Sequence, residues 1–352
     1  MDTPPTRPLL SLSIAAYKQE PYIRAAIEGA FAQTYSPLEI ILSDDCSPDR
    51  TFDIMQEMAG RYSGPHRIIL NRNPKNLGLA RHVNRLFALA NGEVFIGSAG
   101  DDISLPHRVE ATWRVWEKTQ RRATGIHSTL IRIDHHGNRT KSPPAAATEL
   151  DFCENGQTLL SEYLRCHASL LTGASAAWAR VTYEAFGPIP DGIINEDMVL
   201  SFRAMLSGGI ALIHEPLVLY RCHENNLHNS SKSIAVDIDQ FRAEEARRLT
   251  IVDRELAVAR AFRSDLSRAL ELKLLTREAA DELARKIDHY ETSRRLERSM
   301  LTSSWPASLW YFLRLGRRVQ QLRGTSLARA ATPRALYFTV RRTKHRLLAT
   351  KS

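Results

Sequence analysis

Residues 12–51 read LSIAAYKQEPYIRAAIEGAFAQTYSPLEIILSDDCSPDRT and contain two apolar runs separated by a helical pattern. The apolar runs predict β-strands at 9–16 and 38–44. Between them, apolar side chains recur every three or four residues, as the buried face of a helix requires, so we predict a helix at about 20–33. A strand, a helix and a second strand in this order indicate a parallel βαβ unit.

The same alternation continues to about residue 120. Further strands are predicted at 66–71 and 93–98, and further helices at about 50–62, 78–90 and 106–119. We therefore expect an α/β fold in which a mixed, mostly parallel sheet is flanked by helices. Residues from about 125 to 225 mix strand-like runs with helices at about 157–166 and 196–207, and we expect them to complete the same domain.

The C-terminal part of the chain is predicted to be helical. From about residue 235 the pattern becomes long and charged, and Thr276 is placed to cap the last helix of this stretch. We therefore divide the chain into a domain at 1–230, an appended α-helical extension at 231–300 and a basic tail at 301–352.

The basic charge of the protein is concentrated in that tail. The whole chain has a net charge of +9, but residues 301–352 contain nine Arg and two Lys with no Asp or Glu, which leaves 37 basic and 39 acidic side chains elsewhere. Aromatic residues alternate with these arginines, a composition typical of a helix lying at an anionic membrane surface. The alternative is a solvated helix that packs on the body. The balanced charge of the body argues against nucleic acid as a partner.

Other features of the composition narrow the class of protein. No run of about eighteen uncharged apolar residues is present, and the N-terminus MDTPPTRPLL does not read as a secretory signal. The four cysteines have neither a zinc-binding spacing nor the pattern of a disulfide framework. We expect a cytoplasmic protein with free thiols, peripheral on the inner face of the membrane where the tail binds lipid.

Three polar clusters follow predicted strands: AYKQE at 16–20, DDCSPD at 44–49 and GDD at 100–102. Ligands of open α/β sheets bind at the carboxyl ends of the strands, so these clusters are expected to converge on one crevice. Asp101 and Asp102 are adjacent like charges, and a loop can turn both toward a positive partner. A hard divalent cation prefers such oxygen ligands. The alternative is a pair of solvated loop aspartates.

Three stretches of the chain resemble glycosyltransferase family 2. They are residues 12–51, NLGLARHVNRLFALANGEVFIGSAGDDISLPHRV at 76–109 and NEDMVLSFRAMLSGGIALIHEPLVLYRCHENN at 195–226. The resemblance covers about 8–230 in the family's order. It implies the GT-A fold, with a nucleotide-binding half at about 8–120 and an acceptor half at about 121–230. It also implies a nucleotide-diphospho-sugar donor, a divalent cation (Mg²⁺ or Mn²⁺) and inversion at the anomeric carbon.

The resemblance also implies roles for particular residues. Those implied to bind the donor nucleotide are Ala15, Tyr17, Asp45 and Asp101, and those implied to bind the metal ion are Asp102 and His223. Asp197 is the implied catalytic base, at a helix start whose partial positive charge tolerates an anion, and its neighbour Glu196 is the competing candidate. Ala99 stands where the family commonly has the first carboxylate of an Asp-x-Asp-Asp motif.

The chemistry of single residues leaves alternatives open. Asp45 can accept a hydrogen bond from an imide N–H such as N3 of uracil, or it can form an Asx-turn or N-cap. Tyr17 can stack on a base or simply pack. Arg221 can meet a diphosphate or form a structural ion pair. Trp178, at the end of the small-residue stretch 167–178, can stack on an acceptor sugar or belong to the core.

These features predict an inverting glycosyltransferase that moves a sugar from a UDP-sugar to a hydroxyl of a growing polysaccharide or lipid-linked saccharide. One alternative is a catalytically degenerate domain that acts as a scaffold through its helical C-terminus, which Ala99 favours. The other is a sugar-nucleotide nucleotidyltransferase. It lacks support because AAYKQEPY, after the first strand, has no glycine-rich phosphate loop.

Overall fold

The computed structural model of the protein describes residues 7–140, 152–153, 173–223 and 238–303. Nine strands of these residues form one sheet. The strands are β1 (Leu10–Ala16), β2 (Leu38–Asp44), β3 (Arg67–Arg72), β4 (Val94–Ala99), β5 (Ile103–Ser104), β6 (Ala123–Ile133), β7 (Phe152–Cys153), β8 (Ala176–Ala179) and β9 (Gly209–Arg221). The helices are α1 (Ile23–Phe31), α2 (Thr51–Arg61), α3 (Leu79–Leu89), α4 (Arg108–Lys118), α5 (Arg180–Phe186), α6 (Glu196–Ser207), α7 (Ile238–Glu271) and α8 (Arg277–Thr302).

The sheet is mixed and mostly parallel, which confirms the predicted fold class. Its strands are hydrogen-bonded in the order β3-β2-β1-β4-β8-β6-β9-β5, and β7 pairs with β9. The parallel pairs are β1 with β2, β1 with β4, β2 with β3 and β6 with β9. The short strands β5, β7 and β8 run antiparallel to their partners. The six longest strands of the described residues therefore point in one direction.

Most elements of the first half lie where the sequence predicts them. The bounds of β1 to β4 and of α1 to α4 are each within three residues of the predicted ones, and the predicted helix at 196–207 is α6. The Oγ1 of Thr276 accepts a hydrogen bond from the backbone N–H of Ala279 at 3.3 Å, so Thr276 caps α8 as predicted. The predicted helix at 157–166 lies outside the described residues.

The two faces of β1 have different roles because successive side chains of a strand point to opposite sides. Leu12 and Ile14 belong to the hydrophobic core, together with Ile27 of α1 and Val109 of α4. The residues between them, such as Ser13 and Ala15, are small, and both line a cavity. The small side chains on this face leave room for a ligand beside the carboxyl end of the sheet.

Helices α3, α5 and α6 pack near the cavity. The ring of Phe87 in α3 stacks on Phe95 of β4 and on Tyr183 of α5, each with a centroid distance of 4.1 Å. In α6, Arg203 is buried and forms two hydrogen bonds with Asp265 of α7, at 2.8 and 3.0 Å. These contacts fix α3 and α6, whose residues form part of the cavity wall.

The chain divides into two compact units, residues 1–229 with 264–280 and residues 230–263 with 281–352. In the described part of the second unit, parts of α7 and α8 pair through charged side chains. Arg248 contacts Glu297 at 2.6 Å and Arg294 contacts Glu255 at 3.2 Å. None of the helices in the described residues has the length and apolar character that crossing a bilayer requires. Most of the tail at 301–352 lies outside those residues.

Candidate functional site

The acidic turn after β4 is held against the end of β1. The backbone N–H of Gly100 donates to the carbonyl oxygen of Ala15 at 2.9 Å. A side chain at Gly100 would not fit, because its Cβ would lie 2.9 Å from the Cβ of Ala16. Glycine therefore permits the close approach that brings Asp101 and Asp102 to the carboxyl end of the parallel strands.

Asp102 is almost completely buried in this turn, with 1% of its surface exposed. Its Oδ1 accepts a hydrogen bond from the backbone N–H of Arg221 at 2.8 Å. Burial and the adjacent charge of Asp101 raise the pKa of Asp102 well above its ordinary value, although the N–H of Arg221 and the charge of Arg108 act in the opposite direction. The carboxylate therefore lacks full compensation within the described protein.

Arg108 is a buried cation beside this carboxylate that sequence reasoning missed. Its guanidinium donates to the carbonyl oxygens of Gly97 at 2.7 Å and Ala174 at 3.0 Å. Burial lowers the pKa of Arg108 to about 10, against the opposing effect of Asp102. The only sequence signal was an arginine at the start of an amphipathic helix, which ordinarily indicates a solvated position.

Asp101 is paired with His223, since its Oδ2 lies 2.9 Å from Nε2 of the imidazole. The ring of Tyr22 lies 5.0 Å from the His223 ring and 4.8 Å from the guanidinium carbon of Arg221. The Nε of Arg221 donates to the backbone oxygen of Asp101 at 2.9 Å, and its guanidinium also donates to the backbone oxygen of Asp134 at 3.0 Å. These contacts of Arg221 are structural, but they are hydrogen bonds to backbone carbonyl oxygens and not the ion pair that was one of its two predicted roles.

The residues implied to bind a divalent cation have suitable chemistry. Oxygen ligands come from Asp101 and Asp102, and a nitrogen ligand is available from His223. Burial and the neighbouring charge of Asp101 raise the pKa of Asp102, and a bound cation would offset both effects. No three His, Cys, Asp or Glu side chains of the described ranges already surround a common point. The oxygen and nitrogen atoms of these side chains are suitable ligands for a cation. In the structure His223 bonds to Asp101.

Asp45 anchors a neighbouring loop. Its Oδ1 accepts hydrogen bonds from the Asn73 side chain at 2.8 Å and the Leu77 backbone at 2.9 Å, and its Oδ2 accepts from the backbone of Gly78 at 3.0 Å. Gly78 has a φ of +77°, which favours glycine. Asp45 is buried at the cavity wall, and a lone pair of Oδ2 remains for a ligand. Neither predicted role, an Asx-turn or an N-cap, describes these contacts.

Two further predicted residues differ in their exposure. Tyr17 is 40% exposed and borders the cavity. Trp178 is buried, packs against the Cα side of Gly97 and also borders the cavity. It therefore belongs to the core and to the cavity wall at once.

The acidic pair at the start of α6 faces the same cavity. The Oδ2 of Asp197 accepts a hydrogen bond from the backbone N–H of Gly173 at 3.3 Å, and its Oδ1 accepts from the N–H of Met198 at 2.9 Å. Burial and the charge of Asp197 raise the pKa of Glu196 to about 8. Burial thus favours the protonated form of Glu196. Asp197 and Glu196 both lie at the cavity and remain the two candidates for the base.

The cavity at the carboxyl end of the sheet, which we name the donor cavity, has a volume of about 560 Å³. It lies among β1, β4, α3 and the start of α6. Its walls include these predicted residues: Ala15, Tyr17, Asp45, Asp101, Asp102, Trp178, Glu196 and Asp197. His223 contacts this group through Asp101. The wall also contains His82 of α3, which the sequence reading passed over.

Residues 11–159 match the family model described as Glycosyl transferase family 2. The chain therefore contains a segment of the glycosyltransferase family 2 type. The matched segment contains most of β1, the strands β2 to β4 and the acidic turn, so it forms one side of the cavity.

Relatives of this chain include proteins of several bacteria. An uncharacterized protein of Mycobacterium tuberculosis is 25% identical over 224 residues, which are 63% of this chain and 61% of that protein. An uncharacterized glycosyltransferase of Nostoc sp. is 26% identical over 269 residues, which are 75% of this chain and 81% of that protein. The chain thus spans less than two thirds of the length of the mycobacterial relative.

A solved structure shares this fold. The crystal structure of residues 1–349 of Staphylococcus aureus TarS in complex with UDP-GlcNAc has a TM-score of 0.61 and 16% identity. The likeness covers 97% of this chain and 92% of that chain. At this identity the likeness concerns the fold, and it confirms the GT-A architecture that the sequence predicts.

Proposed function

We propose that this protein is an inverting glycosyltransferase that moves a sugar from a nucleoside-diphosphate sugar to a hydroxyl group. The observation that carries the proposal is the donor cavity, where Asp45, Asp101, Asp102 and Asp197 meet at the carboxyl end of the parallel strands. These side chains come from three separated points of the sequence. A set of buried carboxylates in a cleft is expected at a catalytic site rather than in a structural core.

A UDP-sugar is the proposed donor. TarS, which shares the fold, binds UDP-GlcNAc. Tyr17 is exposed enough to lie against a base, and Asp45 retains a lone pair for an imide N–H. Ala15 and Asp101 are proposed to border the ribose and diphosphate, because both lie at the acidic turn.

The proposed reaction is a single displacement. The acceptor oxygen forms a bond to C1 of the sugar, the bond from C1 to the diphosphate oxygen breaks, and Asp197 takes the proton of the acceptor hydroxyl. The hydrogen bonds from Gly173 and Met198 hold the Asp197 carboxylate in place. The raised pKa of Glu196 favours its protonated form, which would avoid two adjacent charges.

Asp102 and His223, with Asp101 beside them, are the residues proposed to hold Mg²⁺ or Mn²⁺. A cation bound there would neutralise the negative charge of the nucleoside diphosphate as it leaves. In this chain Arg221 and Arg108 orient the acidic turn, and Ala99 contributes no ligand.

The acceptor is proposed to be a glycan or a lipid-linked saccharide. The proposal for a lipid-linked acceptor rests on the basic, aromatic composition of residues 301–352, which favours attachment to an anionic membrane surface. Deletion of this tail should release the protein from vesicles that contain anionic lipid, and binding of the full chain should weaken with salt. Equal sedimentation of both chains with vesicles would contradict the membrane proposal.

Release of UDP from UDP-sugars in the presence of Mn²⁺ tests the catalytic proposal. We expect slow release by the wild-type protein. Asp197→Asn should bind UDP normally and lower the rate by about 10²- to 10⁴-fold, the usual contribution of a general base. Asp191→Asn is the matched control, because Asp191 is exposed and pairs with Arg81 at the surface.

Two results would contradict parts of this proposal. An unchanged rate in Asp197→Asn would exclude Asp197 as the base. A wild-type protein that neither binds nor releases nucleotide would favour the scaffold alternative, to which Ala99 points.

A further inference from the structure

His82 lies on the side of α3 that lines the donor cavity, and only 3% of its surface is exposed. Its Nε2 is 2.7 Å from the Oγ of Ser43 at the end of β2. The resemblance assigns no role to this histidine. The hydrogen bonds around it decide which ring nitrogen carries the proton.

These hydrogen bonds can be followed from Asp45. A carboxylate oxygen accepts, so the Asn73 group 2.8 Å from Asp45 Oδ1 is the amide nitrogen, and Asn73 Oδ1 is left as an acceptor. That oxygen accepts from Nδ2 of Asn71 at 3.1 Å. The same nitrogen donates its other hydrogen to Ser43 Oγ at 2.9 Å. The orientation of each amide is therefore fixed by its neighbour.

The remaining question is which group accepts the hydroxyl hydrogen of Ser43. Ser43 is completely buried, and a buried hydroxyl donates its hydrogen bond to a protein acceptor. Of its two side-chain partners in the described protein, Asn71 is a donor, so Ser43 donates to Nε2 of His82. The proton of a neutral imidazole must then be on Nδ1. Burial lowers the pKa of His82, although Asp45 and Asp44 act in the opposite direction, in agreement with a neutral ring.

We propose that the Nδ1–H of His82 binds a carbonyl oxygen of the donor's base, next to the N–H that Asp45 binds. The inference rests on the proposed function, because it assumes that a nucleotide occupies the donor cavity. Asp45 is acceptor-only and His82 Nδ1–H is a donor, so together they match a base edge with adjacent C=O and N–H groups. Uracil and guanine have such an edge. In the same placement, cytosine and adenine set a ring nitrogen acceptor against Asp45 and an amino donor against His82, and they could pair only if the base shifted by one ring position.

Nucleotide affinities measured by calorimetry test the inference. We expect the wild-type protein to bind UDP or GDP at least tenfold more tightly than CDP and ADP. In His82→Gln the longer amide can reach Ser43 but does not supply the Nδ1 donor, so affinity for the preferred nucleotide should fall about tenfold, with less than threefold change for CDP and ADP. In His82→Asn the shorter amide supplies a donor near Nδ1, so it should retain affinity within about threefold of the wild type.

His107→Gln is the matched control, because His107 is exposed and pairs with Glu215 at the surface. Equal binding of UDP, GDP, CDP and ADP by the wild type would overturn the inference without any variant. An unchanged preference in His82→Gln, or an equal loss for all four nucleotides, would also overturn it. In these cases nucleotide still binds and the proposed function survives. Absence of binding by the wild type to every nucleotide would instead refute the proposed function, and the role of His82 with it.

Discussion

Replacement of Glu196 by Gln should remove much of the pH dependence of the domain's stability. Burial, and secondarily the charge of Asp197, raise the pKa of Glu196 from 4.5 to about 8. The folded protein therefore holds this proton more tightly than the unfolded chain does. Its contribution to stability is fully present below pH 4.5 and is lost as the pH rises to 8.

The expected size of this effect follows from the two pKa values. A group that shifts from 4.5 to about 8 on folding costs roughly 5 kcal/mol of unfolding free energy once the pH exceeds 8. About 3 kcal/mol of this loss falls between pH 5.5 and pH 8.5. Glutamine has nearly the same shape and no charge at either pH. Between pH 5.5 and pH 8.5 the unfolding free energy of Glu196→Gln should therefore rise relative to that of the wild type by about this amount.

Urea unfolding at pH 5.5, 7.0 and 8.5, followed by tryptophan fluorescence, measures this difference. Glu184→Gln is the control, because Glu184 is exposed on α5 and pairs with Arg180 at the surface. Asp197→Asn removes the second cause of the shift and should reduce the pH dependence only in part. Parallel stability curves for Glu196→Gln and the wild type would refute the assignment of a protonated Glu196.

Three further substitutions test how the domain is held together. Asp265→Ala leaves the buried Arg203 without its carboxylate and should lower the free energy of urea unfolding by about 3–5 kcal/mol. Arg203→Met combined with Asp265→Leu should lower it by less than about 1 kcal/mol, and equal losses would contradict this reasoning. Gly100→Ala should cost about 1–3 kcal/mol in thermal unfolding and weaken UDP binding, because the new Cβ meets Ala16, and unchanged binding would show that the turn adapts. Cys46 has a φ of +62°, so Cys46→Val should be less stable than Cys46→Gly by about 1–2 kcal/mol, and equal melting temperatures would refute this strain.

The parallel part of the sheet could be predicted because most of its strands, such as β1 and β2, are buried on both faces. In Leu38–Asp44, for example, three consecutive apolar residues, Ile40, Ile41 and Leu42, mark a strand, and the helical spacing between such runs is clear. The strands β5, β7 and β8 were not predicted, because two to four residues are too few to show a period. Their pairing depends on partners far away in the sequence, such as Trp178 opposite Phe95.

The candidate site was predicted as a set of carboxylates but not as a set of contacts. Acidic residues after strands are visible in the sequence, and Asp102 and Asp197 do lie in one cavity. Their partners are separated by long stretches of chain: the backbone of Arg221 bonds to Asp102 across 119 residues. His82 and Arg108 were missed because each occupies a helix position where the sequence pattern does not distinguish a cavity wall from a solvated surface.

The bonds of Asp45 to the backbone of Leu77 and Gly78 limit how base preference can evolve in this protein. A substitution of Asp45 during evolution would remove the hydrogen bonds that hold the loop at the cavity wall. It would therefore disturb the shape of the cavity as well as the binding of the original base. Position 82 carries a smaller penalty, because the hydrogen bond that a substitution would remove there, from the Ser43 hydroxyl, holds no loop in place. We expect natural drift toward a different nucleotide to begin there.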